Sequence, residues 1–287
     1  MNSFARERLV ALGFLVPTSL LVAVTLVIPL LLLFSNSVRE FDPYLGAGGA
    51  FTLQHYGKVL SDPFYWEILW RTVRVSLIVT VACVLAGYPI AYYIVYFSGR
   101  HRTVILVGLL APLFISALVR TYGWVILLGQ GGPLDNALAS LGLIRGPLKI
   151  IGSESGVALG LAHLYLALMV LPIAASLRNV DPAVVRAAQV LGANPFRAFL
   201  KVTLPLSVPG IMSGAVIVFS LSAGAFITPA IMGGQRVRVM SFSIWEQISL
   251  LHNYAFGSVL AIMLLGVVAL IVFLSFAFTT RREAAPA

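Results

Sequence analysis

Hydrophobic residues along this chain come in long unbroken runs rather than in the alternating or every-third-residue patterns of a soluble fold. Stretches without Asp, Glu, Lys or Arg cover 9–38, 75–99, 103–119, 155–177, 202–235 and 247–280. A spanning helix needs about 20 apolar residues to cross roughly 30 Å of hydrocarbon. Five of the runs reach that length, and 103–119 reaches it once Arg120 is accepted near the outer end of its helix. The pattern predicts six transmembrane helices, roughly 10–34, 72–97, 103–128, 155–177, 206–229 and 255–279. The fold class is all-α, a polytopic membrane protein. The apolar run after the basic start MNSFARER is 30 residues long, too long for a secretory h-region of about 7–15, so a retained first helix is expected.

Composition agrees: of 287 residues, 60% are hydrophobic and 10% charged. Mean hydropathy is +0.99. That is too little charge for a soluble domain of this length. The net charge of +9 is explained by topology. With the N-terminus in the cytoplasm, six spans return the C-terminus there. The cytoplasmic pieces then hold Arg6, Arg8, Arg100, Arg102, Arg178, Arg186, Arg197, Lys201, Arg281 and Arg282 against Glu7, Asp181 and Glu283, a surplus of seven. The outer side holds nine basic and seven acidic residues. This is the positive-inside bias. No folded basic reader is present, so nucleic acid is not an expected partner; the bilayer is.

Between the spans, SGRHRT is a tight turn that makes the second and third helices antiparallel neighbours. The outer loops, Ser35 to Arg71, Gln130 to Glu154 and Ala230 to Tyr254, are longer. The first carries Tyr44, Tyr56, Tyr65, Trp66 and Trp70, which suit a membrane interface and a short surface helix. GQGGPLDN and IMGGQRVRV mark bends.

Catalytic chemistry is not indicated. Cys83 lies within the second span with no partner for a disulfide or metal cage and reads as a packing residue. Histidines 55, 101, 163 and 252 are scattered without zinc-site spacing, so no metal is expected. Gly152-Ser153-Glu154-Ser155-Gly156 fails the G-x-S-x-G pattern, and no phosphate-cradling G-x-x-x-x-G-K-[ST] occurs.

One segment is built differently: DPAVVRAAQVLGANPFRAFLKVTLPLSVPG, from Asp181 to Gly210. Asp181 is a helix N-cap and Pro182 a first helical residue. Gly192 follows VVRAAQVL where a left-handed stop belongs. Asn194-Pro195 repeats the start signal, opening a second short helix through Phe196, Phe199 and Leu200. Val184, Val185, Ala188 and Leu191 can share one face of the first helix, while Ala187 and Gly192 permit close backbone approach.

This segment resembles the cytoplasmic loop of the permease subunits of ABC importers, whose pattern is Glu-Ala-Ala, three residues, Gly, nine residues, Ile, any residue, Leu-Pro. Here Arg186-Ala187-Ala188, Gly192 and Val202-Thr203-Leu204-Pro205 keep both spacings. Val202 replaces Ile, a small change. Arg186 replaces Glu and reverses a charge, so an ion pair made by the family Glu is not carried over. The resemblance covers about residues 68 to 279 and implies the type I importer permease fold. It also implies a division into an N-terminal helix and first outer loop (1–67), a transmembrane core (68–279) with a coupling loop (178–205), and a cytoplasmic tail (280–287). Within the family, LVRTYGW and SVPGI after Leu-Pro look most like the spermidine/putrescine branch.

What the resemblance implies is ATP-driven import by alternating access, with a second permease, a cytoplasmic ATPase dimer and an extracytoplasmic solute-binding protein as partners. ATP and Mg would be bound by the ATPase and no cofactor by this chain. Coupling to the ATPase would fall to Asp181, Val184, Val185, Arg186, Ala187, Ala188, Leu191, Gly192, Ala193, Asn194, Pro195, Phe196, Phe199, Leu204 and Pro205. Polar groups within spans are expensive and make default pathway candidates: Arg120, Tyr122 and Trp124 in the third span, His163 and Tyr165 in the fourth, Ser220, Ser222 and Thr228 in the fifth. Arg120 also reads as a snorkelling side chain, and His163 as an interhelical hydrogen-bonding group. Tyr88, Tyr92, Tyr93 and Tyr96 read as packing or interfacial residues. Gly156-x-x-x-Gly160 and Gly210-x-x-x-Gly214 are expected to bring spans four and five together. Pro172, Pro205 and Pro209 flank the loop, and Pro229 sits near the far end of span five.

The solute stays open between a polyamine and an opine, phosphonate, amino-acid-like solute or ferric iron. Glu154, Glu246 and Asp135 could draw a cation to the outer mouth, but Arg145, Lys149, Arg236 and Arg238 lie close by. An ATP-independent carrier would call for inverted repeats and buried ionisable groups, which the sequence does not show. A membrane scaffold remains the other class.

Overall fold

The computed structural model describes residues 3–42, 44, 48–97, 99, 101–144, 146–234 and 236–283. Ser98, Arg100 and Arg145, used above, lie outside them, as do the side chains of Arg6, Glu7, Arg8, Arg281, Arg282 and Glu283. The described residues form α-helices, short π-turns and loops. The chain divides into two compact units, residues 1–63 with 244–263, and residues 64–243 with 264–287.

The first unit contains α1 (Ser3–Ser37), α2 (Gln54–Ser61), a π-turn (Glu246–Leu250) and the beginning of α12 (Tyr254–Glu283). Leu20, Leu21, Leu31 and Leu32 of α1 are all well exposed. A helix apolar on every side finds its complement in hydrocarbon. Within it Thr25 returns its hydroxyl to the Leu21 carbonyl at 2.8 Å, which satisfies that hydroxyl away from water. The short surface helix expected in the first loop is α2. Tyr56 donates to Ser37 Oγ at 2.9 Å, and Lys58 lies 5.3 Å from the centre of the Phe256 ring.

The second unit is organised around α7 (Glu154–Arg178). Met169, Val170, Ile173 and Leu177 on it are fully buried, joined by Val75, Val79 and Cys83 of α3 (Pro63–Tyr96) and Val218 of α10 (Leu204–Gly224). A Cβ placed on Gly210 would lie 2.5 Å from the Pro172 carbonyl oxygen, and one on Gly214 would lie 2.7 Å from Met169 Sδ. These glycines let α10 and α7 approach backbone to backbone. The other expected pair behaves differently. Gly160 meets Met232 and Thr228, and Gly156 meets the Ile150 backbone, so they receive loop segments rather than α10.

Five helices are long and apolar enough to span, at 15–37, 63–96, 154–178, 195–224 and 254–277. The sixth is broken. The expected helix 103–128 is two pieces, α4 (Arg102–Phe114) and α5 (Ala117–Leu128), and the chain bends by 105° between 102–114 and 117–140 across extended Ile115 and Ser116. Proline 112 in the last turn of α4 begins the disruption, and the break frees carbonyls that hydrocarbon cannot satisfy. Arg120 Nη1 donates to the carbonyls of Pro112 at 2.6 Å and Ile115 at 3.2 Å. The side chain that looked like a snorkelling group is folded back and 9% exposed.

Two further boundaries differ from expectation. Helix α3 begins at Pro63, so Trp66 and Trp70 are helical rather than part of a loop. The fifth span stops at Gly224, and Thr228 belongs to a separate short turn that continues as a π-turn over Pro229–Gly233. Ser241 of α11 (Met240–Trp245) donates to the Ala225 carbonyl at 2.7 Å, satisfying the part-buried C-terminal end of α10. Met240 N donates to Thr72 Oγ1 at 2.8 Å.

At the end of α7 remote from its C-terminus, Glu154 is held between Arg74, its closest partner, and Arg71 at 3.6 Å. Arg71 also pairs with Glu67 at 2.5 Å. Asp135, in α6 (Pro133–Ser140), accepts the backbone N–H of Gly131 at 2.8 Å and of Leu148 at 2.9 Å. Those two donors hold its carboxyl below the ordinary Asp range.

A native carboxyl pKa below the unfolded value means stability that is present above the unfolded value and lost as pH falls through the native one. Purified protein should therefore lose thermal midpoint as pH drops through and below about 3.9, and Asp135→Asn should lack that component. Gly210→Val should cost about 1–3 kcal/mol by overpacking, whereas Gly123→Ala, inside α5 with open space around it, should keep or slightly raise the unfolding midpoint in detergent.

Candidate functional site

The hairpin after α7 is determined by its capping residues. Asp181 Oδ1 accepts from Ala183 N at 2.8 Å, and Pro182 opens α8 (Pro182–Val190). Gly192 N bonds to the Gln189 carbonyl at 3.0 Å and Ala193 N to the Ala188 carbonyl at 3.0 Å. Those paired bonds are a Schellman stop, which requires the φ of +90° that Gly192 adopts. No atom lies within 4 Å of where its Cβ would be. Within this chain the glycine serves the turn; close packing against it would need another molecule. Asn194 Oδ1 then accepts from Arg197 N at 2.7 Å, and Pro195 starts the next helix.

That second helix is not a separate element. Pro195–Ala198 (α9) passes through a π-turn over Phe199–Thr203 directly into α10. Pro205 has no N–H and would crowd the carbonyl four residues back in a regular helix. The π-turn, in which Leu204 N reaches the Phe199 carbonyl, widens the helix just before it. The hairpin is therefore a short helix joined by one loop to a continuous 30-residue rod, Pro195–Gly224.

Its inner side is fixed to the bundle. Phe199 makes edge contacts with Tyr88 at 5.7 Å and Tyr92 at 5.6 Å between ring centres. Tyr88 and Ser207 share a hydrogen bond of 3.0 Å, and Tyr96 donates to the Leu177 carbonyl at 3.3 Å. Of the expected docking anchors, Phe199 faces inward. Helix α8 buries no residue at all. Val185 and Ala188 are half-covered, while Val184, Arg186, Ala187, Leu191 and Phe196 are exposed, Leu191 by 88%. Val190, equally exposed, extends the apolar surface. Sequence reasoning missed it because it lies off the i, i+4, i+7 stripe of Val184, Ala188 and Leu191. Leu204 is half-buried at the start of α10, next to Pro205.

The pathway candidates occupy several places in the second unit. Trp124 Nε1 donates to His163 Nδ1 at 3.3 Å, with the rings 5.4 Å apart and nearly perpendicular. Both border a cavity of about 480 Å³ with Cys83 and Leu166. Tyr165 donates to the Leu221 carbonyl at 3.3 Å, linking α7 to α10. Thr228 shares a 3.2 Å hydrogen bond with buried Thr121, a residue whose only signal was its place beside Arg120. Ser222 is buried with no partner for its hydroxyl among the described residues, Ser220 is half-buried, and Tyr122 is exposed. Arg120 lies close enough to His163 and Tyr165 for its charge to act on both, so with Trp124 these residues form one cluster. Glu154 and Asp135, considered above as cation attractors, are occupied by arginines and backbone N–H groups.

Residues 7–282 match the family described as binding-protein-dependent transport system inner membrane component. The chain belongs to this family, the permease subunits of ABC importers. Similar relatives include the spermidine/putrescine transport system permease protein PotB of Haemophilus influenzae, 32% identical over 77% of this chain and 77% of that one. PotB of Escherichia coli is 32% identical over 85% of this permease and 88% of its own length. The inner membrane ABC transporter permease protein YdcU of E. coli is 34% identical over 61% and 60% of the two chains. Among solved structures, a chain of a bacterial alginate ABC transporter, in complex with an alginate pentasaccharide-bound periplasmic protein, superposes with a TM-score of 0.80. It is 17% identical over 98% of each chain, so the likeness is one of fold. The permease is a multi-pass inner-membrane protein with the type I importer fold.

Replacing Gly192 by Val should cost about 1–2 kcal/mol through its left-handed backbone, and Gly192→Asn much less. Amide exchange across 182–193 should accelerate in that order, with Asp181→Ala adding a loss of about 1 kcal/mol at the N-cap. Equal exchange in Val and Asn variants would contradict the stop.

Proposed function

We propose that this permease imports a polyamine by alternating access, with a second permease, a cytoplasmic ATPase dimer that carries ATP and Mg, and an extracytoplasmic binding protein. The observation that carries the reading is α8, capped at both ends yet burying nothing of its own. A short helix with exposed Val184, Val190 and Leu191 fits recognition in a groove of another protein. The ATPase is that protein, and closing of its dimer pushes α8. The loop at Gly192 passes the push to Phe196, and the rod Pro195–Gly224 tilts against α7 at the Gly210 and Gly214 contacts. Arg186 faces out from α8 and meets a carboxylate or a neutral group on the ATPase.

The solute reading rests on the spermidine/putrescine relatives. This chain supplies little to select a cation, since Glu154 and Asp135 are engaged and the six expected spans hold no Asp or Glu. Cation selection therefore falls to the binding protein and the second permease. The positive-inside bias puts both termini, 98–103 and 178–201 in the cytoplasm, and 130–154 and 230–254 outside, where the binding protein delivers solute.

Two measurements test this reading. Leu191→Asp should lower co-purified ATPase at least tenfold and abolish uptake of labelled spermidine or putrescine, with the permease present in the membrane at normal level. Undiminished ATPase in that complex would overturn the docking assignment. In a Cys83→Ala background, an impermeant thiol reagent applied to intact cells should label cysteines placed at Asn136 and Asn253 but not at Asn194. The opposite pattern would overturn the topology.

A further inference from the structure

Two apolar grooves meet at one ridge on α3. The first, about 500 Å³, lies between α3 and α4 and is lined by Pro89, Ile90, Tyr93, Ile105, Gly108 and Leu109. The second, about 430 Å³, lies between α3 and the hairpin, with Tyr88, Tyr92, Phe97, Phe196 and Phe199 in its walls. Pro89 and Tyr93 belong to both, so the pair of grooves flanks a single proline–tyrosine ridge. Each has the size of a ligand site.

The charge around them is one-sided. Arg102 sits three and seven residues before Ile105 and Leu109, on the same face of α4 as the first groove. Arg197 is next in sequence to Phe196 of the second groove's wall, with Lys201 one turn on, and all three cations are exposed. Between Glu67 and Asp135 the sequence has no carboxylate, and in the hairpin the one carboxylate, Asp181, caps Ala183. Paired apolar slots beneath a basic rim match the chemistry of a two-chain anionic phospholipid, acyl chains below and phosphate above. A cationic solute would meet like charge there.

We propose that an anionic phospholipid occupies this double groove, one acyl chain on each side of Tyr93, its phosphate drawn to Arg102 and Arg197. It touches α3, α4 and the hairpin together, and so links lipid composition to the position of the coupling helix. This site is separate from the solute path and stands whichever solute is carried.

Gly108 allows a clean test, because it lines the first groove and nothing lies within 4 Å of its absent Cβ, so a larger side chain there enters the groove with no clash at its Cβ. The full transporter complex is reconstituted in vesicles of phosphatidylcholine containing a trace of phosphatidylglycerol with a photoreactive acyl chain, or of matched photoreactive phosphatidylcholine. Labelled peptides are then mapped. The anionic probe should label residues 89–97 and 102–114 about fivefold or more above the zwitterionic one. Arg102→Gln should remove about fivefold of that preference. Gly108→Leu should suppress labelling of both peptides while labelling of α12 and the thermal midpoint stay as in wild type. Equal labelling by the two probes, undiminished labelling in Gly108→Leu, or labelling of these peptides blocked by a bound second subunit would each overturn the site.

Discussion

Inside hydrocarbon no water is available to satisfy a backbone N–H or C=O, and much of this fold answers that constraint. Long helices satisfy their own bonds. Their hydroxyls fold back onto the preceding turn, as Thr72, Ser76 and Thr80 do on α3 with bonds of 2.7–2.8 Å. Where a helix breaks, another group must replace the lost partner. Arg120 replaces it at the end of α4, and Ser241 at the end of α10. An arginine is suited to the first task because its fork carries several donors and stays charged at any working pH.

The same constraint shapes how motion can pass through the permease. The breaks at Ile115–Ser116 and Ala225–Phe226 are met by internal hydrogen bonds and leave shorter helical pieces. The hairpin is asymmetric in this respect. Helix α8 is tethered by loops at both ends, whereas Pro195–Gly224 is continuous across the π-turn and runs along α7. Phe199 and Ser207 connect that rod to the tyrosines of α3. In the proposed cycle α8 receives force and the rod carries it, with the glycine contacts on α7 as the sliding surface.

Much of this was legible in the amino-acid order because it depends on local chemistry. The caps at Asp181 and Asn194 and the left-handed turn at Gly192 follow from residue type and position alone, and the five unbroken spans follow from run length. What escaped depends on distant groups. Nothing in LVRTYGW says that Arg120 turns back toward Pro112 rather than outward to headgroups, because the carbonyls it meets are freed by a break upstream. Pro205 reads as one of the prolines flanking the loop, and only the structure shows that a π-turn absorbs it and the helix continues. Gly156 and Gly160 carry the same spacing as Gly210 and Gly214, yet they receive Ile150 and Met232, since small residues specify closeness without specifying the neighbour. Thr121 and Val190 stood in ordinary contexts and gained their roles only from tertiary placement.

Cross-linking from α8 tests the hairpin's role most directly. A single cysteine at Val190, in a Cys83→Ala permease, is joined by a short thiol-to-amine linker in inside-out vesicles carrying the whole transporter. The expected product is a permease–ATPase conjugate whose formation changes with nucleotide and which stops ATP-driven transport. A cysteine that reacts freely with soluble thiol reagents throughout turnover, and never joins the ATPase, would contradict that role.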